Sequence, residues 1–160
     1  MFVPTGHTMR CFSTTAVAPL LLSNRVNVFL GGACNPTTWR RDTAIPLLDS
    51  LNKTYYNPQV DEWHAGLMAE ELHHKNTCDV LLFVIGRHTR GVASVAEASY
   101  YIGAGRKVVL VLQPYPETVE TIDESKDLNR GRSYLRQMAE QAGVPIFDNV
   151  EEAIPQLFRL

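Results

Sequence analysis

The sequence has no hydrophobic run long enough to cross a membrane and no marked excess of charge of one sign. Its 160 residues include 15 Lys and Arg against 17 Asp and Glu, which gives a net charge of −2 at pH 7. A membrane-spanning helix needs roughly 18 or more consecutive apolar residues, and no segment approaches that length. A nearly neutral chain offers no general electrostatic attraction for a nucleic acid polymer or an anionic membrane. We therefore expect neither as a partner.

Cysteine is scarce, and its spacing excludes two common structural devices. The three cysteines, Cys11, Cys34 and Cys78, are far apart and form no CxxC pair. This pattern does not favour a disulfide framework or a structural zinc site. His74 and Cys78 would share a helix face, but two ligands are too few to hold zinc. We therefore predict no metal site and a reducing compartment, the cytoplasm.

Acidic residues are missing from the first part of the chain. The first 41 residues contain four arginines, and the first acidic residue is Asp42. Residues 1–25 are also rich in Ser and Thr, which is typical of mitochondrial presequences. The favoured interpretation is a loosely packed N-terminal arm before one domain of residues 26–160, and mitochondrial import through residues 1–25 is the alternative.

Three short apolar runs predict the inner strands of a parallel sheet. Residues 26–30, 79–85 and 107–112 are rich in β-branched side chains and nearly continuous rather than alternating. Such runs are typical of strands that are buried on both faces. Residues 54–57 and 144–147 are weaker candidates for edge strands.

Helical stretches alternate with these strands. They cover approximately residues 38–51, 64–76, 94–103, 129–142 and 150–158. The alternation predicts an α/β fold, a single doubly wound, five-stranded parallel sheet with helices on both faces. The natural strand order is flavodoxin-like, 2-1-3-4-5. Residues 114–132 are polar and contain two prolines, so we expect a long loop there, either a lid or a solvated excursion.

Two glycine-containing loops follow the first and third strands. In an open parallel sheet, ligands bind beyond the carboxyl ends of the strands where the strand order reverses, here between these two strands. Residues 31–36 and 86–91 lead into that crevice, and glycine lets a backbone approach a ligand closely. Gly31 and Gly32 lack the spacing of a dinucleotide fingerprint or a P-loop, and a tight turn would explain them equally.

Ser94 and Glu97 lie where the helix after the third strand should begin. Their S-x-x-E spacing matches a capping box, in which Ser94 caps the helix and Glu97 bends back to its terminus. In the functional alternative, the Glu97 carboxylate faces the crevice as a nucleophile or base. A carboxylate suits attack on a sugar anomeric carbon because the transition state is oxocarbenium-like and needs a nearby negative charge.

Residues 26–113 contain a series of motifs, VFLGG, TTWR, NPQVDEW, CDVLLFVI and GVASVAEASYYIGAGRKVVLVL. The most specific part is Glu97 at the opening of a helix, followed by the turn at 103–107 and a hydrophobic strand. On these motifs the chain resembles the nucleoside 2-deoxyribosyltransferase-like superfamily. The resemblance implies that Glu97 is the nucleophile that takes the deoxyribosyl group from a nucleoside.

The resemblance also implies residues that contact the substrate. In the well-known transferases an acidic residue eight positions before the equivalent of Asp79 contacts the base, which points to Glu71. Glu71 is also spaced for an i,i+4 pair with Lys75. The NPQVDEW run would lie beside the site, so Asp61 either binds a base edge or caps the following helix. The candidate substrate-binding residues are therefore Gly31, Gly32, Asp61, Glu71, Gly91 and Ser94.

The same resemblance implies a small-molecule nucleoside or nucleotide as substrate, no metal or organic cofactor, and a homo-oligomer. The chain nevertheless departs from the family pattern. It has Phe29 where the well-known transferases carry a tyrosine on the first strand, and Gly91 where they carry an aspartate. Their C-terminal motif has no counterpart. Transfer, hydrolysis, and a nucleotide-binding or protein-interaction module without turnover are all compatible with this pattern.

Overall fold

The computed structural model describes residues 27–62, 64–118 and 121–159; the predicted N-terminal arm, residues 1–25, lies outside them. The described residues form a five-stranded parallel sheet in the order β2-β1-β3-β4-β5. The predicted fold, the strand order and the three adjacent inner strands are therefore confirmed. The strands are β1 (Asn27–Gly32), β2 (Thr54–Tyr56), β3 (Val80–Ile85), β4 (Val108–Leu112) and β5 (Ile146–Phe147).

Five α-helices cover the sheet. They are α1 (Ile45–Ser50), α2 (Leu67–Thr77), α3 (Val92–Gly103), α4 (Ile122–Gln141) and α5 (Val150–Ala153). A π-helical turn (Arg40–Ala44) precedes α1, and a 3-10 turn (Ile154–Phe158) follows α5. None of these described helices combines the length and apolarity needed to cross a bilayer.

Each face of the sheet has its own core. Val28 and Leu30 of β1 pack with residues of α1, α5 and the 3-10 turn. Phe29 points to the other face, where it packs with residues of α3 and α4. On that face α2 approaches β2, because His74 stacks on Tyr56 with ring centroids 3.7 Å apart. Burial on both faces explains why the inner strands read as continuous apolar runs.

The prediction of a loop over residues 114–132 was wrong, because α4 begins at Ile122. Its buried positions recur at helical spacing, but two of them are the polar Ser125 and Arg132. A search for apolar periodicity therefore misses the first half of the helix. The acidic residues of its first turn stabilise the helix N-terminus through the backbone dipole.

β1 ends in two glycines because β3 lies too close for any side chain. A Cβ atom on Gly31 would lie 2.7 Å from the Phe83 ring. Gly32 has a φ of +129°, and its Cβ would collide with the Val84 carbonyl oxygen. Strand packing is therefore sufficient to explain both glycines, without a ligand.

This packing predicts opposite effects for two glycine substitutions. Gly32→Ala should lower the free energy of unfolding by at least about 2 kcal/mol, because it adds backbone strain to a steric clash. Gly103→Ala, at the end of α3 where no atom lies within 4 Å of the new Cβ, should raise it by up to about 1 kcal/mol. Urea unfolding followed by circular dichroism measures both. A Gly32→Ala protein as stable as wild type would contradict the close approach of β1 and β3.

Candidate active site

A groove of about 580 Å³ lies between α2 and α3, on the side of the sheet that holds Phe29. Its volume is within the usual range for small-molecule sites. It contains two of the acidic residues singled out by the sequence, Glu71 on α2 and Glu97 on α3. The lining residues are Met68, Ala69, Glu71, Leu72, Lys75, Ala96, Glu97, Tyr100 and Tyr101.

Lys75, the most buried of the three charged residues, binds the carboxylates of both Glu71 and Glu97. Its Nζ donates to Oε1 of Glu97 at 2.6 Å and to Oε2 of Glu71 at 3.2 Å. It also lies 5.3 Å from the centroid of the Phe29 ring. Burial lowers the pKa of Lys75, but the hydrogen bonds and charges of Glu97 and Glu71 outweigh burial, so its pKa is raised overall. The side chain is therefore a buried ammonium at neutral pH.

Glu97 faces the groove and is not tied to the end of its own helix. The capping-box interpretation was wrong, because α3 begins at Val92 and Gly91 occupies the N-cap with no capping side chain. Glu97 therefore lies in the second turn, with 41% of its side chain exposed. Its Oε1 is held by Lys75, whereas its Oε2 accepts no hydrogen bond from the described residues.

Ser94 and Gly91 have structural explanations. Ser94 is buried inside the first turn of α3 and does not line the groove. Gly91 has a φ of +64°, and a Cβ atom there would lie 3.2 Å from Cγ2 of Ile85. A left-handed N-cap packed against β3 accounts for this glycine.

Asp61 lies apart from the two glutamates. It is exposed and lines a smaller depression with Asn57 and Gln59. The alternative that Asp61 caps the next helix was also wrong, because α2 begins at Leu67, has Gly66 at its N-cap, and has no capping side chain. Of the predicted site residues, the groove thus brings together Glu71 and Glu97 only.

The loop after β1 is held by a buried arginine. Arg40 is fully buried and donates to the carbonyl oxygens of Leu30, Gly32 and Ala33 at 2.8–3.0 Å. Burial lowers the pKa of Arg40 to about 10, so it remains charged at neutral pH. These hydrogen bonds of Arg40 fix the backbone of the loop that contains Cys34.

Cys34 is a half-buried thiol within electrostatic range of Glu71, Lys75 and Glu97. Burial raises its pKa, and this effect exceeds the opposing influence of Arg40. A thiol with a raised pKa is largely protonated at neutral pH and is a poor nucleophile. Glu97 therefore has no strong thiolate competitor at Cys34.

A second cavity of about 410 Å³ opens on the other face, at the carboxyl ends of β3 and β4. Pro36 and Gly86 of the two predicted loops line it, but it lies at β3 and β4 rather than between the first and third strands, where the crevice was predicted. It contains neither Glu71 nor Glu97. The acidic pair is displaced from the strand ends because both glutamates project from helices.

The residues missed by sequence reasoning lie mainly on α2. Met68 and Leu72 line the groove beside Glu71, at the i, i+4 spacing of one helix face. Lys75 was recognised only as a partner for Glu71. Its contact with Glu97 joins residues 22 positions apart, and no local spacing predicts such a contact.

One of two similar solved structures supports the fold. A conserved protein from Enterococcus faecalis V583 is 13% identical, with 85% of this chain and 99% of that chain covered and a TM-score of 0.55. A 2-deoxyribosyltransferase from the psychrotolerant bacterium Bacillus psychrosaccharolyticus is 18% identical, with 64% and 90% covered and a TM-score of 0.45. No curated protein matches the chain.

The sequence itself matches a family model described as nucleoside 2-deoxyribosyltransferase like over residues 25–115. This match covers more than half of the chain and includes β1, both glutamates of the groove and the lysine between them. The chain therefore belongs to the nucleoside 2-deoxyribosyltransferase-like family.

Proposed function

We propose that the protein cleaves or transfers at the N-glycosidic bond of a (deoxy)nucleoside or nucleotide, with Glu97 as the nucleophile. The observation that carries this proposal is the state of the Glu97 carboxylate. One oxygen is held by the buried Lys75, the other accepts no hydrogen bond from the described residues, and the side chain lines a groove of small-molecule size. The resemblance to the family supports this role for a glutamate at this position.

The reaction takes two displacements at C1′ of the sugar. An oxygen of Glu97 attacks C1′, so that an ester bond forms as the C1′–N bond breaks. The base leaves with the electron pair of the broken bond. It takes a proton from the solvent in the open groove. The nitrogen of a second base, or water, then displaces Glu97 and loses a proton to solvent. The first outcome is transfer and the second is hydrolysis.

The walls of the groove suit a nucleoside. Met68, Leu72 and Tyr100 offer exposed apolar surface, against which a planar base can stack. Glu71 is bound to Lys75 through Oε2, and in this proposal its Oε1 accepts a hydrogen bond from an N–H group of the base. Glu71 and Glu97 would then contact opposite sides of the bond that breaks.

Glu97→Gln should abolish turnover and leave the fold intact. The amide oxygen can still accept the hydrogen bond of Lys75, whereas a neutral amide cannot form the glycosyl ester. Base release should fall by at least about a thousandfold, as expected for loss of a nucleophile. Chromatography of the free base, across a panel of nucleosides and nucleotides, measures it.

Glu70→Gln is the matched control, because Glu70 is exposed on α2 and does not line the groove. This variant should release base at the wild-type rate. A Glu97→Gln protein that keeps more than a tenth of wild-type base release would rule out Glu97 as the nucleophile.

A second candidate function is a nucleotide-binding module without turnover. Two features favour it: Phe29 has no hydroxyl group to hold the carboxylate, and Gly91 has no side chain to offer the substrate. Nucleotide binding by the wild-type protein, without base release from any compound of the panel, would identify this function instead.

We further propose that the protein is a homo-oligomer in which a neighbouring subunit covers the outer edge of the groove. Met68, Leu72 and Tyr100 line the groove and are each more than half exposed, and so is Val92 at the start of α3. Clustered apolar side chains of this kind are typical of protein interfaces. A second subunit would bury the parts of these side chains that face away from the base.

The oligomer predicts that Tyr100→Glu dissociates the protein, because a carboxylate would be buried in the interface. Tyr134→Glu is the control, because Tyr134 is equally exposed but lies on α4. Sedimentation velocity at micromolar concentration should show an oligomer for wild type and Tyr134→Glu, and a monomer for Tyr100→Glu. A monomeric wild type would contradict the proposal.

A further inference from the structure

A single ammonium group joins the two glutamates of the groove. Among the described residues that line it, Lys75 is the only basic one. Its side chain is only 6% exposed, compared with 22% for Glu71 and 41% for Glu97. Lys75 thus lies at the floor of the groove, and the carboxylates extend from it toward solvent.

The position of Lys75 is fixed at both its backbone and its side chain. Arg106 donates to the Lys75 carbonyl oxygen at 2.7 Å and also binds the end of α2 through the carbonyl oxygens of Asn76 and Cys78. The Phe29 ring lies below Nζ. An ammonium in this setting has little freedom to move, because leaving its two carboxylates would strand a buried charge.

The fixed ammonium determines which oxygen of Glu97 can react. Because Nζ binds Oε1, Oε2 is the oxygen that accepts no hydrogen bond from the described residues and is free to attack. The Phe29 ring, which lies against Nζ, has no hydrogen-bonding group. Lys75 is therefore the group that orients the carboxylate among the described contacts of Glu97.

A lysine with two acidic partners also suits the chemistry of an ester intermediate. When Glu97 is esterified it loses its negative charge, and an ammonium paired with Glu97 alone would be left buried and unpaired. The contact with Glu71 at 3.2 Å keeps the charge paired throughout. It also offsets the repulsion between two carboxylates in one groove.

We propose that Lys75 is a positioning residue that holds the Glu97 carboxylate so that Oε2 attacks C1′. This inference rests on the proposed function. Lys75 itself does not contact the substrate. It acts through Glu97, and its removal therefore slows ester formation rather than weakening substrate binding.

The kinetic test compares Lys75→Met, which removes the charge, with Lys75→Arg, which keeps a cation able to bind both carboxylates. Lys75→Met should lower kcat by about a hundredfold, the cost of a misplaced nucleophile. KM should change by less than about threefold, because Lys75 holds Glu97 for chemistry rather than binding substrate. Lys75→Arg should recover at least about tenfold of the loss, since it restores the charge-assisted hydrogen bonds.

The control is Lys53→Met, because Lys53 lies on the other face of the sheet over the Phe158 ring. It should leave kcat and KM unchanged. If Lys75→Met does not melt cooperatively, Lys75→Gln takes its place with the same expected changes. An active wild type with an undiminished kcat in the charge-removing variant would overturn the positioning role and leave the proposed function intact.

A second measurement does not depend on turnover. The 15N NMR signal of the Lys75 ammonium should be observable in wild type, because burial and pairing slow its proton exchange, and it should shift in Glu97→Gln. Absence of the signal, or a signal unaffected by Glu97→Gln, would overturn the ion-pair geometry. A wild type that releases no base overturns the proposed function and the kinetic role of Lys75 together, whatever this signal shows.

Discussion

A lysine ammonium remains buried in a protein only when anions surround it, and this requirement organises the groove between α2 and α3. Lys75 is held by Glu71 from its own helix and by Glu97 from the next. The two helices are thereby joined beside the apolar core on this face of the sheet. Removal of either carboxylate would leave the other as the sole partner of a buried charge. The distance between the two carboxylates is thus a property of the fold.

The loops around the sheet are held in a similar way, by arginine side chains from distant parts of the chain. Arg40 binds the loop after β1, Arg106 binds the end of α2, and Arg132 binds the loops after β3 and β4. Their acceptors are carbonyl oxygens of Leu30, Gly32, Ala33, Lys75, Asn76, Cys78, Gly86, Thr89 and Gln113. Each guanidinium offers several donors in a rigid plane, which suits several carbonyls at once. The groove is consequently built on restrained backbone, as a preorganised site requires.

The architecture was predictable because inner strands that are buried on both faces have continuous apolar sequences. The apolar runs of β1, β3 and β4 and their alternation with helices were enough for the sheet and its strand order. The first half of α4 was not predictable in this way, because Ser125 and Arg132 occupy buried positions. Arg132 is buried there because its N–H groups donate to carbonyl oxygens of other loops. The periodicity of apolar residues does not indicate such partners.

The site was predictable only in part, for a related reason. Family motifs pointed to Glu71 and Glu97, and the groove brings these two together. The spacing of Ser94 and Glu97 suggested a capping box, but the left-handed Gly91 starts α3 earlier and moves Glu97 into the helix. The decisive contact, from Lys75 to Glu97, depends on how two helices pack. Asp61, in contrast, was predicted from a family motif but lies outside the groove.

The most direct test of the central claim is to trap the ester on Glu97 with a slow-turnover 2-fluoro nucleoside and to locate it by peptide mass mapping. The account predicts one glycosyl group per chain, on the peptide that contains Glu97, and no adduct in Glu97→Gln. An adduct on Cys34 or any other residue, or one that persists in Glu97→Gln, would contradict it.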